Sequence, residues 1–262
     1  NLNILTIHGG IGMKKRLGIW ILLLVVTLLV VAPVFGGGSK ETPVETKKEV
    51  VKEVEETYEF TFAHHVQINH PAHEVYLDFA ARAAQKTNNR VKINIFGAGQ
   101  IGGLRDNAEG VSIGTIDMAL VDFGTLAQKH PRAAVISLPF IFDGYEHMAK
   151  FVKSDVLADL IDETAKAINV RMLAFGYSGF RQIYSNDPVS KPSDMKGMKI
   201  RVPEITLWID TFEAIGAIPT PIAYAELYTS LQTGVVDACE LPSESQYSAK
   251  LNEVTKYVAN TG

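Results

Sequence analysis

Lys199-Ile200-Arg201-Val202-Pro203-Glu204, taken with Pro219-Thr220-Pro221 and with Gly234-Val235-Val236-Asp237, decides how this chain is organised. A short β-run carries an arginine and is stopped by a proline, which has no N–H to extend a ladder. A turn, a helix and a second glycine-punctuated strand follow. Such a layout can hold a guanidinium at the mouth of a cleft, where its planar fork grips a carboxylate through two parallel hydrogen bonds. Ile200 and Val202 flank Arg201, and Phe180 and Ile183 sit beside Arg181. A charge that interrupts a buried strand is usually paired. The partner could be structural, with Glu226 or Glu240 in that role, or it could be an anionic ligand. Residue chemistry alone leaves both open.

Working outward, alternating β and α signals predict an α/β chain with parallel strands. The expected elements of the first half are strands at 59–63, 91–96, 116–121 and 170–175, and helices at 73–86 and 104–113 with Gly114 as terminator. Helix-rich sequence is expected at 145–168. The texture changes near Gly179. A strand at 180–185, the Arg201 strand, and helices at 205–214 and 223–232, the latter capped by Gly234, read as a second α/β domain. The expected organisation is 58–178 for the first domain and 179–262 for the second, which is expected to be C-terminally incomplete.

With 262 residues and 47% hydrophobic content the chain can build one large or two modest cores. Its net charge of -4 gives no support for nucleic-acid binding. Residues 1–12 precede the first methionine and are set aside as upstream sequence. Lys14, Lys15 and Arg16 then lead into nineteen uncharged residues, Leu17 to Phe35. This is an export segment within 13–37, either cleaved or retained as an anchor. Residues 38–57 form a charged tether. A single cysteine, Cys239, cannot form an internal disulfide, and reads as a small buried residue.

Two features invite other chemistry. Gly97-Ala98-Gly99-Gln100-Ile101-Gly102 has the G-x-G-x-x-G form, with Asp122 about 20 residues on, where a dinucleotide fold places its ribose acid. It follows the second strand rather than the first, so a plain glycine turn is the expected reading. An exported oxidoreductase stands as the alternative. His64, His65, His70 and His73 cluster within ten residues, but Glu74 is the only carboxylate at ligand spacing and no thiol is near. No metal and no cofactor are expected. One of His64 and His65, which point to opposite faces of an extended segment, is expected to face the cleft. No nucleophile elbow is present, and no catalytic residue is assigned.

The stretch Asp194-Met195-Lys196-Gly197-Met198-Lys199-Ile200-Arg201-Val202-Pro203 resembles a segment of the solute-binding subunits of tripartite ATP-independent periplasmic (TRAP) transporters. So do Gly216-Ala217-Ile218-Pro219 and Glu226-Leu227-Tyr228-Thr229-Ser230-Leu231-Gln232-Thr233-Gly234-Val235-Val236-Asp237. The resemblance implies a two-domain periplasmic binding protein, type II-like, with the ligand cleft between the domains. It implies a non-enzymatic role: capture of a small organic acid anion for the small and large membrane subunits of such a transporter. It places Arg201 on the ligand carboxylate, Arg181 as a second cationic contact, Tyr224 as an aromatic on the ligand and Phe123 as a cleft wall. His64 and Glu109 are added as ligand-side residues of the first domain. Gln100-Ile101-Gly102-Gly103-Leu104-Arg105 matches a segment that lines the cleft. The family often has an asparagine where this chain has Leu241. Leu241 therefore either forms an apolar cleft wall or turns into the core. A membrane-anchored ligand-sensing domain is the remaining alternative.

Overall fold

The computed structural model of the protein describes residues 56–261, and the expected export segment and most of the tether lie outside them. The first part runs β1 (Tyr58–Ala63), α1 (Pro71–Lys86), β2 (Val91–Phe96), α2 (Leu104–Ile113), β3 (Met118–Ala119), α3 (Phe123–Leu126), α4 (Tyr145–Phe151) and α5 (Asp155–Ile168). The second runs β4 (Arg181–Ser185), β5 (Lys199–Val202), α6 (Thr206–Ile215), β6 (Ile218–Pro221), α7 (Leu227–Gln232), β7 (Ala238–Pro242), α8 (Ser243–Ser248) and β8 (Tyr257–Ala259). Among the described residues no helix is long and apolar enough to cross a membrane.

Local chemistry sets the boundaries. Pro71 opens α1, where its missing N–H costs nothing, and the His70 ring accepts from the Ala72 N–H at 3.1 Å. Gly114 and Gly216 end α2 and α6 in the left-handed conformation, with φ of 80° and 90°, which glycine adopts without strain. The strands form two sheets. The first has the order β2-β1-β3 and is parallel throughout. The second has the order β6-β5-β7-β4-β8. Its β6, β5 and β7 are parallel, while β4 runs against β7 and β8.

Side-chain alternation splits the second sheet between two apolar clusters. Ile183, Ile200, Val202 and Ala238 pack on one face with Phe212 of α6. Tyr184, Cys239 and Leu241 pack on the other with Leu227, Leu231, Val236 and Leu251. Burying each aliphatic side chain of this size contributes roughly 1.5–3 kcal/mol. Arg201 lies between Ile200 and Val202 and beside Cys239 in register, so it projects from the Cys239 face.

Three expected elements differ. The strand expected at 170–175 does not form. A strand exists only through a pairing partner, and no described strand lies alongside it, although Val170 and Met172 still pack against the buried Ala108, Leu126 and Ile168. The strand expected at 116–121 shrinks to Met118–Ala119, the length that registers with Phe62 and Ala63 of β1. The helix expected at 223–232 opens with a 3-10 turn, Tyr224–Glu226, before α7.

Candidate functional site

Arg201 is the centre of the candidate site. It is 3% exposed, and its Nε donates to the backbone carbonyl of Ile222 at 2.8 Å. That bond fixes the guanidinium through its inner nitrogen. The Nη groups hold no hydrogen bond among the described residues. Burial pulls the Arg201 pKa down, partly offset by the nearby Glu240 carboxylate. A guanidinium so placed is a desolvated cation whose outer fork lacks a carboxylate bound to it, and this is the geometry that a bidentate anion completes.

Arg181 is handled differently. Its Nε and Nη2 both reach the Glu240 carboxylate, the second at 3.0 Å, and Nη2 also donates to the Glu240 carbonyl at 3.3 Å. Glu240 is 1% exposed. The pair also stacks, with the Arg181 guanidinium 4.7 Å from the centre of the Trp208 ring. Burial opposes the charge on Arg181, but Glu240 and the more distant Asp122 outweigh it and raise its pKa. Arg181 and Glu240 occupy the Ile183 face of the sheet, opposite to Arg201. Of the two partners considered from sequence, Glu240 is the one that pairs, and it pairs with Arg181.

Aromatic walls complete the site. The Tyr224 hydroxyl donates to the Ser245 carbonyl at 2.8 Å, which holds the ring in place. His65 meets that ring edge-on at 5.9 Å. Its Nδ1 is buried without a hydrogen-bond partner among the described residues. Burial first, and then the Arg201 charge, depress the His65 pKa to about 4, so the ring is neutral at physiological pH. Phe123 opens α3 and stacks on Phe175 at 5.3 Å with the rings 7° from parallel. The preceding Asp122 caps α3, accepting from the Gly124 N–H at 2.6 Å. The two sheets' connections meet around the site at several points. Asn69 donates to the Ser248 carbonyl at 3.2 Å, His70 lies 3.2 Å from the Ser245 hydroxyl, and Gln128 donates to the Glu204 carbonyl at 3.3 Å.

The candidate site is thus built around one buried guanidinium, whose Nε is held by a backbone carbonyl, on the parallel part of a mixed sheet. The family described as bacterial extracellular solute-binding protein, family 7, matches residues 62–262. The chain belongs to that family. A solute-binding protein of Roseobacter denitrificans is 33% identical over 189 residues, covering 72% of this chain and 58% of that protein. The C4-dicarboxylate-binding periplasmic protein of Rhodobacter capsulatus is 31% identical over 206 residues, covering 77% and 61%. The chain thus spans about three fifths of the length of these curated relatives. A solved TRAP periplasmic solute-binding protein of Roseobacter denitrificans, with bound L-galactonate, superposes with a TM-score of 0.74 at 31% identity, covering 78% of this chain and 67% of that one. One from a Sulfitobacter species, with bound β-D-galacturonate, gives 0.74 at 29% identity over 77% and 67%. The fold is therefore that of the TRAP solute-binding subunits, two α/β domains with a cleft between them.

Within that family fold, the charges of Tyr224 and Arg181 act on Arg201, Arg181 from the opposite face of the sheet, and Phe123 stands at the first residue of α3. Two residues need correction. His64 is fully buried, bonded through Nδ1 to the Val66 carbonyl at 3.0 Å and through Nε2 to His73 at 2.8 Å. Its ring neighbours are His73 and Tyr76, and His65 is the imidazole beside Tyr224. Glu109 is exposed on α2, which buries Asn107, Ala108 and Gly110. It lines an open crevice with Thr61, Phe96 and Ile113, and none of the Arg201 neighbours shares that crevice. Leu241 is 2% exposed and packs with Tyr184, Leu227 and Leu251, the core alternative considered for it. The G-x-G-x-x-G stretch is a tight turn. A side chain at Gly97 would come within 2.7 Å of the His64 ring, and the Asp106 carboxylate already accepts from the Gly103 N–H at the start of α2. Sequence reasoning missed Trp208 and the capping role of Asp122. The period of α6 places Trp208 on its buried face, but nothing in the sequence aims it at Arg181.

Proposed function

We propose that this protein captures a small organic acid anion, of the sugar-acid or short dicarboxylate class, outside the cytoplasm, and delivers it to the membrane subunits of a TRAP-type secondary transporter. The observation that carries this is Arg201: a buried guanidinium, clamped from behind by a backbone carbonyl and open at its outer fork. Relatives that hold galacturonate, galactonate or C4-dicarboxylates support the class of ligand. In this reading Arg201 takes the carboxylate, Tyr224 and Phe123 flank the body of the acid, and Arg181 with Glu240 presents a preset polar wall. The boundary between domains at residues 178 and 179 and the export segment at 13–37 belong to the same reading. A thermal-shift screen of hexuronates, aldonates and C4-dicarboxylates tests it. An acid at 100 times its dissociation constant stabilises a protein by about 2.7 kcal/mol. A panel in which no carboxylate raises the melting temperature overturns the proposal.

A further inference from the structure

Gly124, in a connection of the first sheet, faces Ile205, in a connection of the second, with no room for a side chain between them. A Cβ added to Gly124 would lie 2.9 Å from Ile205 Cγ2 and 2.9 Å from Asp122 Oδ1. Nothing in the backbone demands glycine here. Gly124 is the second residue of the four-residue α3 and lies outside the left-handed region, so its backbone conformation is open to any residue. The missing side chain makes room both for the approach of Ile205 and for the Asp122 cap on the Gly124 N–H. Ile205 is 2% exposed although it stands outside α6, directly after Pro203-Glu204 at the end of the Arg201 strand. Its β-branched side chain is restricted at χ1, so it yields little to an added methyl group. Next to this contact Gln128 donates to the Glu204 carbonyl at 3.3 Å, and Asp122, which caps the same α3, raises the pKa of Arg181 across the cleft.

We infer that Gly124 and Ile205 form the stop at which the two domains meet when the cleft closes over Arg201, and that Gly124 is a positioning residue for ligand binding. This rests on the reading of the chain as a closing two-domain binder. The contact brings Asp122 and Phe123 of one domain to a fixed depth against Arg181 and Arg201 of the other. A methyl group at position 124 holds the cleft ajar by wedging against Ile205. Ligand contacts made from both sides then cannot form together.

The test uses the full chain, with spin labels on cysteines introduced at the exposed Lys86 and Lys196, one in each domain. Cys239 is buried. Gly124→Ala should move the interspin distribution to longer distances, and Gly124→Ala with Ile205→Ala should return it to the wild-type distances. The added methyl also crowds the Asp122 cap, so any lowering of the melting midpoint in Gly124→Ala should persist in the double variant, while the distance change should not. Titration with β-D-galacturonate should show affinity reduced about tenfold or more, the scale of an overpacked contact, with recovery in the double variant. Wild-type distances that lack the separation of this structure, or that Gly124→Ala leaves unaltered, overturn the inference. So does a shift that Ile205→Ala fails to reverse. The distance measurement needs no ligand, so a protein that binds none of the acids tested refutes the proposed function separately.

Discussion

Replacing Arg201 by lysine keeps the charge and removes the geometry. In the wild type Nε is committed to the Ile222 carbonyl at 2.8 Å, and the two Nη groups are left for the ligand. A lysine ammonium at the same depth has one nitrogen for both tasks. It either stays on Ile222 and meets the carboxylate with a single prong, or leaves a buried carbonyl without a donor. One hydrogen bond to a charged group is worth roughly 1.5–3 kcal/mol, which converts to a loss of about 10- to 150-fold in affinity. Lys199→Arg, at the exposed start of the same strand, should change affinity less than about threefold. Calorimetry with the acid that gives the largest thermal shift measures both. Arg201→Met sharpens the argument, because it removes a desolvated cation with no carboxylate bonded to it. Binding should vanish, while relief of the desolvated cation offsets the roughly 1–3 kcal/mol of the unbonded Ile222 carbonyl, so the unliganded protein melts close to wild type. Arg201→Lys binding within threefold of wild type, or a marked drop in melting temperature for Arg201→Met, would show that Arg201 is a structural residue.

Arg181→Met should behave in the opposite way, losing about 3–5 kcal/mol in denaturant melts, because it strands the 1% exposed Glu240 carboxylate. Leu241→Asn should cost roughly 1–3 kcal/mol by burying an amide among Tyr184, Leu227 and Leu251, and should leave the ranking of ligands unchanged. A changed ranking would put Leu241 on the ligand. Acidification should destabilise the protein through His64 and His65, whose pKa values burial lowers from 6.5 to about 4. The unfolded chain takes up these protons first. The stability the two neutral rings contribute is therefore complete above about pH 6.5 and declines toward pH 4, by about 1.4 kcal/mol per pH unit per ring. Replacing both histidines by glutamine should flatten the melting-temperature profile over that range.

The sequence made some parts of this molecule readable and hid others for physical reasons. The β5 strand was legible because Pro203 stops it, and α2 and α6 because Gly114 and Gly216 mark their ends. Arg181 and Arg201 stood out as charges in apolar runs, yet their different circumstances depend on which face of the sheet each leaves. That is settled by registers such as Arg201 beside Cys239 and Ile183 beside Glu240. Period-2 alternation established that His64 and His65 point apart. It could not say which of them lies inward, because that depends on where α1 packs. The segment at 170–175 has strand composition, and composition cannot supply a neighbouring strand. Gly124 looked like any glycine until Ile205 was seen against it.

The Ile222 carbonyl behind Arg201 has a consequence for how such a protein can change over time. The clamp is made by the peptide backbone, and every amino acid that could stand at position 222 brings the same oxygen. Mutation there alters a side chain without deleting the acceptor. The grip on a carboxylate is in this sense insulated from drift, whereas Tyr224, His65 and Phe123 present side chains that a single substitution rewrites. A lineage built on this plan can exchange one acid for another while its hold on the anionic group persists, so new nutrients come within reach by altering walls around an anchor that need not be rebuilt.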